Sequence, residues 1–207
     1  MIPAAGTVFV VDDNAAVRAS LRTLFGAAGL HVETYASGAD FLAAYDSRRP
    51  GCLVLDLKLR GESGLDLLEQ LPPRPATLPV IVLTAYGSVP ASVRAMNAGA
   101  IDFVEKSMRP AQLLGCVRTA LELAGRQHEV EAAQQAIVQR AARLTPREQQ
   151  IAELLVAGKR SKEIAASLGV SPRTVDSYRS RLLDKMHVES TTELIAALLR
   201  LRRVPPR

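Results

Sequence analysis

Five short apolar segments, separated by stretches with helical spacing, constrain this chain more than any other feature. Residues 8–11 (VFVV) are β-branched and aromatic and run straight into Asp12 and Asp13. Val17, Leu21, Leu24 and Phe25 then recur at the intervals of one buried helical face. Residues 31–35 alternate as a strand, and Phe41 and Leu42 lie in a second helical stretch. Residues 52–55 (CLVL) run into Asp56, and Leu65, Leu67, Leu68 and Leu71 mark a third helix. Residues 79–83 close on Thr84, and residues 89–98 read as a helix stopped by Gly99. Residues 101–104 are a fifth strand ahead of Lys106, and a helix follows Pro110. Strands this apolar need cover on both faces, and helices between them favour parallel pairing.

The predicted fold of this half is therefore α/β, a flavodoxin-like doubly wound sheet of five parallel strands. From residue 111 to residue 143 the chain reads as one continuous helix, with Gly125 as a weak point. Val130, Ala133, Ile137, Ala141 and Leu144 keep a three-four spacing. That pattern suits a solvated connecting helix, or alternatively a short two-chain seam weakened by its alanines. The remainder has no strand signal and four helix starts. Thr145-Pro146-Arg147-Glu148 combines a capping box with proline at the first helical position. Ser171-Pro172 repeats the cap and proline, and Ser190 to Glu193 has the form of another capping box. The expected organisation is a first domain over 1–125, a helical linker over 126–143, and an all-α four-helix domain over 144–207.

Charge separates the same halves. Residues 1–125 carry 11 basic and 12 acidic side chains, whereas residues 126–207 carry 15 and 9. A basic tail on a neutral head points to a polyanionic partner for the tail. An apolar content of 48% with 23% charged residues argues against disorder. No apolar run reaches the ~20 residues that span a bilayer, no secretion signal opens the chain, and no membrane partner is expected. Cys52 and Cys116 lack partners at metal-ligand spacing and read as small core residues in a reducing cytoplasm.

In an open α/β sheet, ligands bind beyond the carboxyl ends of the strands. The polar residues there are Asp12, Asp13, Asp56, Thr84 and Lys106. Three clustered carboxylates repel one another unless a hard cation joins them, and oxygen-only ligation favours Mg²⁺. One carboxylate can then attack a phosphoryl group whose oxygens the metal, an ammonium and a hydroxyl neutralise. Asp56, Lys106 and Thr84 suit the roles of nucleophile, ammonium and hydroxyl. A small phosphatase on the same fold would want a second acid two residues after its nucleophile, where Lys58 stands.

VVDD at 10–13, LVLD at 53–56, Ser63-Gly64, LTAYG at 83–87 and GAIDFVEK at 99–106 together resemble a response-regulator receiver domain. The resemblance implies that Asp56 accepts a phosphoryl group from a partner histidine kinase. It implies that Asp13, Asp56 and the backbone carbonyl of Lys58 hold Mg²⁺, with Asp12 acting through water. Thr84 and Lys106 would bind the phosphoryl oxygens, Phe103 would be the switch aromatic, and small Ala85 would leave a path to Asp56. Two departures stand out. Ser107 replaces the usual proline after the lysine, so the Lys106–Ser107 bond is expected to be trans. Residues 57–62 (LKLRGE) lack the usual Met-Pro.

The tail carries LTPRE at 144–148, SKEIAASLGVSPRTV at 161–175, and the pair Lys185-Met186. Ala165, Gly169 and Val175 supply the small residue, the turn glycine and the β-branched core residue of a helix-turn-helix. This region resembles the LuxR-type output domain of the NarL/FixJ class. By that likeness residues 172–186 form the recognition helix in the major groove. Val175, Tyr178, Leu182 and Met186 point inward by helical spacing, and Asp176, Ser177, Ser180 and Arg181 then face the bases. Arg173, Thr174, Arg179 and Lys185 would contact phosphates or flank the groove, while Asp176 would accept from a cytosine amine or orient an arginine. The resemblance implies a transcription regulator that binds double-stranded DNA. One small recognition helix offers too little specificity for a genome, so paired half-sites and a homodimer formed on phosphorylation are expected, with RNA polymerase a further candidate partner.

Overall fold

The computed structural model describes residues 6–71, 78–85 and 88–202. The chain divides into two compact units, Met1–Glu129 and Val130–Arg207. In the first, β1 (Thr7–Val11), β2 (His31–Tyr35), β3 (Gly51–Leu55), β6 (Val80–Thr84) and β7 (Asp102–Glu105) form one sheet in the order β2-β1-β3-β6-β7. All four pairings are parallel. The order reverses direction between β1 and β3, which opens a crevice at their carboxyl ends.

The pleat sends alternate residues to two cores. Phe9, Val11, Leu53, Leu55 and Val82 pack on one face with Phe41 of α2 (Gly38–Ala44), Leu67 of α3 (Gly64–Gln70) and Ala95 of α4 (Val89–Asn97). Val8, Val10, Val54, Ile81 and Val104 pack on the other with Phe25 of α1 (Ala15–Ala27) and Val117 of α5 (Pro110–Ala141). Both faces are thus dry, as the unbroken apolar strands require. Cys52 is buried in the second core, and burial pushes its thiol up to about 12. Cys116 is half-buried at the margin of that core, so both cysteines pack as small side chains and both are free.

The unusual segment after Asp56 forms a small antiparallel hairpin, β4 (Lys58–Leu59) with β5 (Glu62–Ser63). Gly61, at φ +78°, makes the reversal in a region that other residues rarely adopt. Sequence periodicity gave no sign of these two strands, because two-residue elements have no period to detect. Tyr86 and Gly87, part of the LTAYG stretch, lie outside the described residues.

The second unit packs α6 (Pro146–Val156), α7 (Ser161–Leu168), α8 (Pro172–Met186) and α9 (Thr191–Arg202) around Ile151, Ile164, Val175, Leu182, Met186 and Leu194. The Thr145–Glu148 capping box is complete. Gly169, at φ +65°, ends α7 in the left-handed region and turns the chain into α8, which Ser171 caps. The α9 cap differs from expectation. Ser190 accepts from the Glu193 N–H, but the Glu193 carboxylate reaches the N–H of Glu189 rather than that of Ser190. Ile137, Ala141 and Leu144 also pack on this core, and Arg140 donates to the carbonyl of Met186 at 3.1 Å.

Candidate functional site

The crevice at the carboxyl ends of β1 and β3 collects the acids that follow them. Asp12, Asp13 and Asp56 each offer an oxygen, and these lie within 4.8 Å of one another. Asp12 and Asp56 are buried, and Asp13 is half-buried. Two buried anions so close need compensating charge. Lys106, delivered by the end of β7, donates to Asp12 at 2.7 Å and to Asp56 at 2.5 Å. Its burial works against the ammonium, yet the hydrogen bonds to Asp12 and Asp56 prevail and hold its pKa above the ordinary lysine value. The Asp12 and Asp56 carboxylates also accept the N–H groups of Asn14 and Lys58, at 2.8 and 3.2 Å. All side-chain donors in the cluster are hard oxygens, so the residues fit Mg²⁺.

Thr84 ends β6 at 1% exposure, and its carbonyl accepts from the Lys106 N–H at 2.8 Å. Phe103 lies beside Val82 in register and is half-buried against the first core. Ala85 is exposed. No cis peptide bond occurs among the described residues, so Lys106–Ser107 is trans. Gly64 is a spacing requirement that motif reading leaves unexplained: a Cβ there would lie 2.2 Å from the Asp56 carbonyl oxygen. Two arginines were also missed. Arg18 donates to the Asp12 carbonyl at 2.5 Å, and Arg60 pairs with Asp13 at 3.3 Å from the hairpin. Nothing in their local sequence marks either.

On α8, Val175, Leu182 and Met186 are buried and Tyr178 is half-buried, which leaves the opposite face open. Arg173, Asp176, Ser177, Ser180 and Arg181 are exposed along it. The Arg181 guanidinium lies over the Tyr178 ring at 5.6 Å. Thr174 is half-buried and bonds the Ser171 hydroxyl at 2.9 Å. The other two predicted contacts are engaged inside the domain. Lys185 donates to buried Glu148 at 2.7 Å, and Arg179 bonds the hydroxyls of Ser161 and Thr191. Helical spacing identified their face but not these partners, which lie on other helices.

A parallel sheet with an acid cluster and a lysine at its crevice, followed by a helix-turn-helix, is the architecture of a two-component transcription regulator. Residues 8–118 match the response regulator receiver domain, and residues 142–198 match the bacterial regulatory proteins of the luxR family. The chain belongs to the response regulators that join a receiver domain to a LuxR-type DNA-binding domain. It is 42% identical to the transcriptional regulatory protein FixJ of Azorhizobium caulinodans, over 96% of this chain and 94% of that protein. It is 41% identical to the transcriptional regulatory protein TdiR of Thauera aromatica, over 95% and 86%. The solved structure of the response regulator StyR shares 38% identity at a TM-score of 0.84, covering 95% of this chain and all of that one. A receiver domain implies a histidine kinase as partner, and the luxR-family domain implies DNA. The acid cluster is a pocket of the kind at which receiver domains bind Mg²⁺. No helix among the described residues is long and apolar enough to cross a membrane.

Proposed function

We propose that Asp56 accepts a phosphoryl group from a histidine kinase and that this modification controls DNA binding by α8 in the cytoplasm. The observation that carries the reading is the meeting of Asp12, Asp13, Asp56 and Lys106 at one sheet edge. Asp13, Asp56 and the Lys58 carbonyl would hold Mg²⁺, and Asp12 would act through water. Mg²⁺ would neutralise phosphoryl oxygens during transfer. An Asp56 oxygen forms the new P–O bond as the P–N bond to the kinase histidine breaks. Lys106 leaves its carboxylate partners for one phosphoryl oxygen, and the Thr84 hydroxyl bonds another. Movement of Thr84 frees space into which Phe103 turns. The chain acts on its own aspartate and is not a turnover enzyme.

Phosphorylation would alter the face that carries α4 and β7. Val89, Val93 and Met96 line one side of α4 at 77%, 52% and 48% exposure, an apolar stripe suited to homodimer formation. Two recognition helices on paired half-sites then supply the specificity that one cannot. Asp176, Ser177, Ser180 and Arg181 read bases, while Arg173 and Thr174 meet phosphates. The working division is a receiver over 1–125, a linker over 126–143 and the DNA-binding domain over 144–207. RNA polymerase is a further partner of the bound dimer.

Incubation of the full chain with acetyl phosphate and Mg²⁺ is expected to add the mass of one phosphoryl group, and Asp56→Ala is expected to add none. An unshifted wild-type chain, or a shifted Asp56→Ala chain, would overturn the reading.

A further inference from the structure

A polar cluster at the N-termini of α7 and α9 draws its members from three helices. Ser161 begins α7, Thr191 begins α9, and Asp176 and Arg179 lie one turn apart on α8. The Arg179 guanidinium donates through Nη1 to the Ser161 hydroxyl at 3.3 Å and through Nη2 to the Thr191 hydroxyl at 2.8 Å. Ser161 in turn donates to Oδ1 of Asp176 at 3.0 Å, and Arg179 Nη1 lies 3.6 Å from that same oxygen. The Nε atom of Arg179 is buried without a hydrogen-bond partner among the described residues. An arginine free to seek a phosphate would keep its fork in solvent. This one is turned inward and gives up a donor to stay there.

The cluster has a direct consequence for Asp176. Its side chain is 60% exposed on the outer face of α8. Oδ1 is fixed by Ser161 and faces the guanidinium, whereas Oδ2 makes no hydrogen bond among the described residues. A lone carboxylate beside DNA is repelled by the phosphates. A carboxylate with a neighbouring guanidinium carries less net charge and has a fixed direction. In the major groove an acceptor-only group can pair with the exocyclic amine of cytosine or of adenine. Adenine places the N7 acceptor beside its amine and so opposes a carboxylate, whereas cytosine has no acceptor at that edge.

We propose that Arg179 is a positioning residue that neutralises and aims Asp176 at a cytosine amine, and that Ser161 sets the carboxylate's rotation. This rests on the reading that α8 enters the major groove. It assigns sequence preference to an arginine that touches no base.

The test is selection of randomised duplexes by the phosphorylated full chain, with the salt dependence of binding measured for each variant. Wild type is expected to prefer a C·G pair at one position by about tenfold. Asp176→Ala and Arg179→Ala are each expected to flatten that same position, and the double variant is expected to lose no more than either. Arg179→Lys, which keeps the charge but not the fork, is expected to retain the salt slope and lose the preference. If Arg179→Ala instead weakens all sequences alike and lowers the salt slope by about one unit with the preference intact, Arg179 is a phosphate contact and the proposal fails. Should Arg179→Ala fold poorly, wild type can be tested on duplexes whose cytosines are replaced singly by an analogue lacking the amine. One such replacement is expected to weaken wild type about tenfold and leave Asp176→Ala unaffected. Equal effects on both proteins, or no sensitive cytosine, would overturn the proposal. No salt-sensitive duplex binding by wild type would overturn the groove reading itself.

Discussion

Lys185 on α8 donates to Glu148 on α6 at 2.7 Å, and that carboxylate is 3% exposed. The same carboxylate accepts from the backbone and hydroxyl of Thr145 at 2.8 and 3.0 Å. One buried acid thus completes a helix cap and ties the recognition helix to its neighbour. Lys185→Ala removes the charged partner of a buried anion and is expected to cost about 1–3 kcal/mol. Urea unfolding should reveal the loss, while the salt slope of DNA binding should stay at the wild-type value.

Glu148 also gives this unit an acid limit. Burial pushes its carboxyl up, but the bonds from Lys185 and Thr145 outweigh that, and the folded pKa lies below the ordinary glutamate value. A depressed acid contributes stability that is present above its unfolded pKa of about 4.3 and is lost as pH falls through the lower folded value. Glu148→Gln is therefore expected to be less stable than wild type at pH 7. Its stability should also fall less steeply below about pH 4.5, as measured by unfolding across a pH series.

In the receiver, Lys106 is the ammonium between two buried carboxylates. Lys106→Met leaves Asp12 and Asp56 facing each other and is expected to lower stability by about 3 kcal/mol without metal. Millimolar Mg²⁺ should restore part of that loss and should raise the wild-type melting temperature as well. Thermal melts with Mg²⁺ and with a chelator give the comparison.

Gly64 is held by the close approach of the Asp56 carbonyl. Gly64→Ala must move either α3 or the backbone of the phosphoacceptor. It is expected to cost about 1–3 kcal/mol and to slow modification of Asp56 by acetyl phosphate. Intact-mass time courses on folded protein would show the rate.

The packing of Ile137 and Ala141 on the C-terminal core bears on where that domain begins. A fragment starting at residue 130 is expected to be more stable than one starting at residue 144, by about 2–4 kcal/mol. Equal denaturation midpoints would show that these contacts contribute nothing.

The sheet and its acid pocket were legible because their signals are local. A β-branched run that ends in an acid, with a helix behind it, fixes strand, direction and crevice position together, so Asp12, Asp56, Thr84 and Lys106 could be placed from order alone. The caps at Thr145 and Ser171 and the turn at Gly169 are local in the same way. Tertiary structure decided the partners of the long side chains. Helical spacing put Arg179 and Lys185 near the groove, but it cannot register Ser161, Thr191 or Glu148, which lie 12 to 37 residues away in the chain. The same holds for Arg60 on Asp13 and for the hairpin that carries it. A backbone period states which face a residue occupies. Which charge a flexible side chain meets there depends on distances that only the packed chain defines.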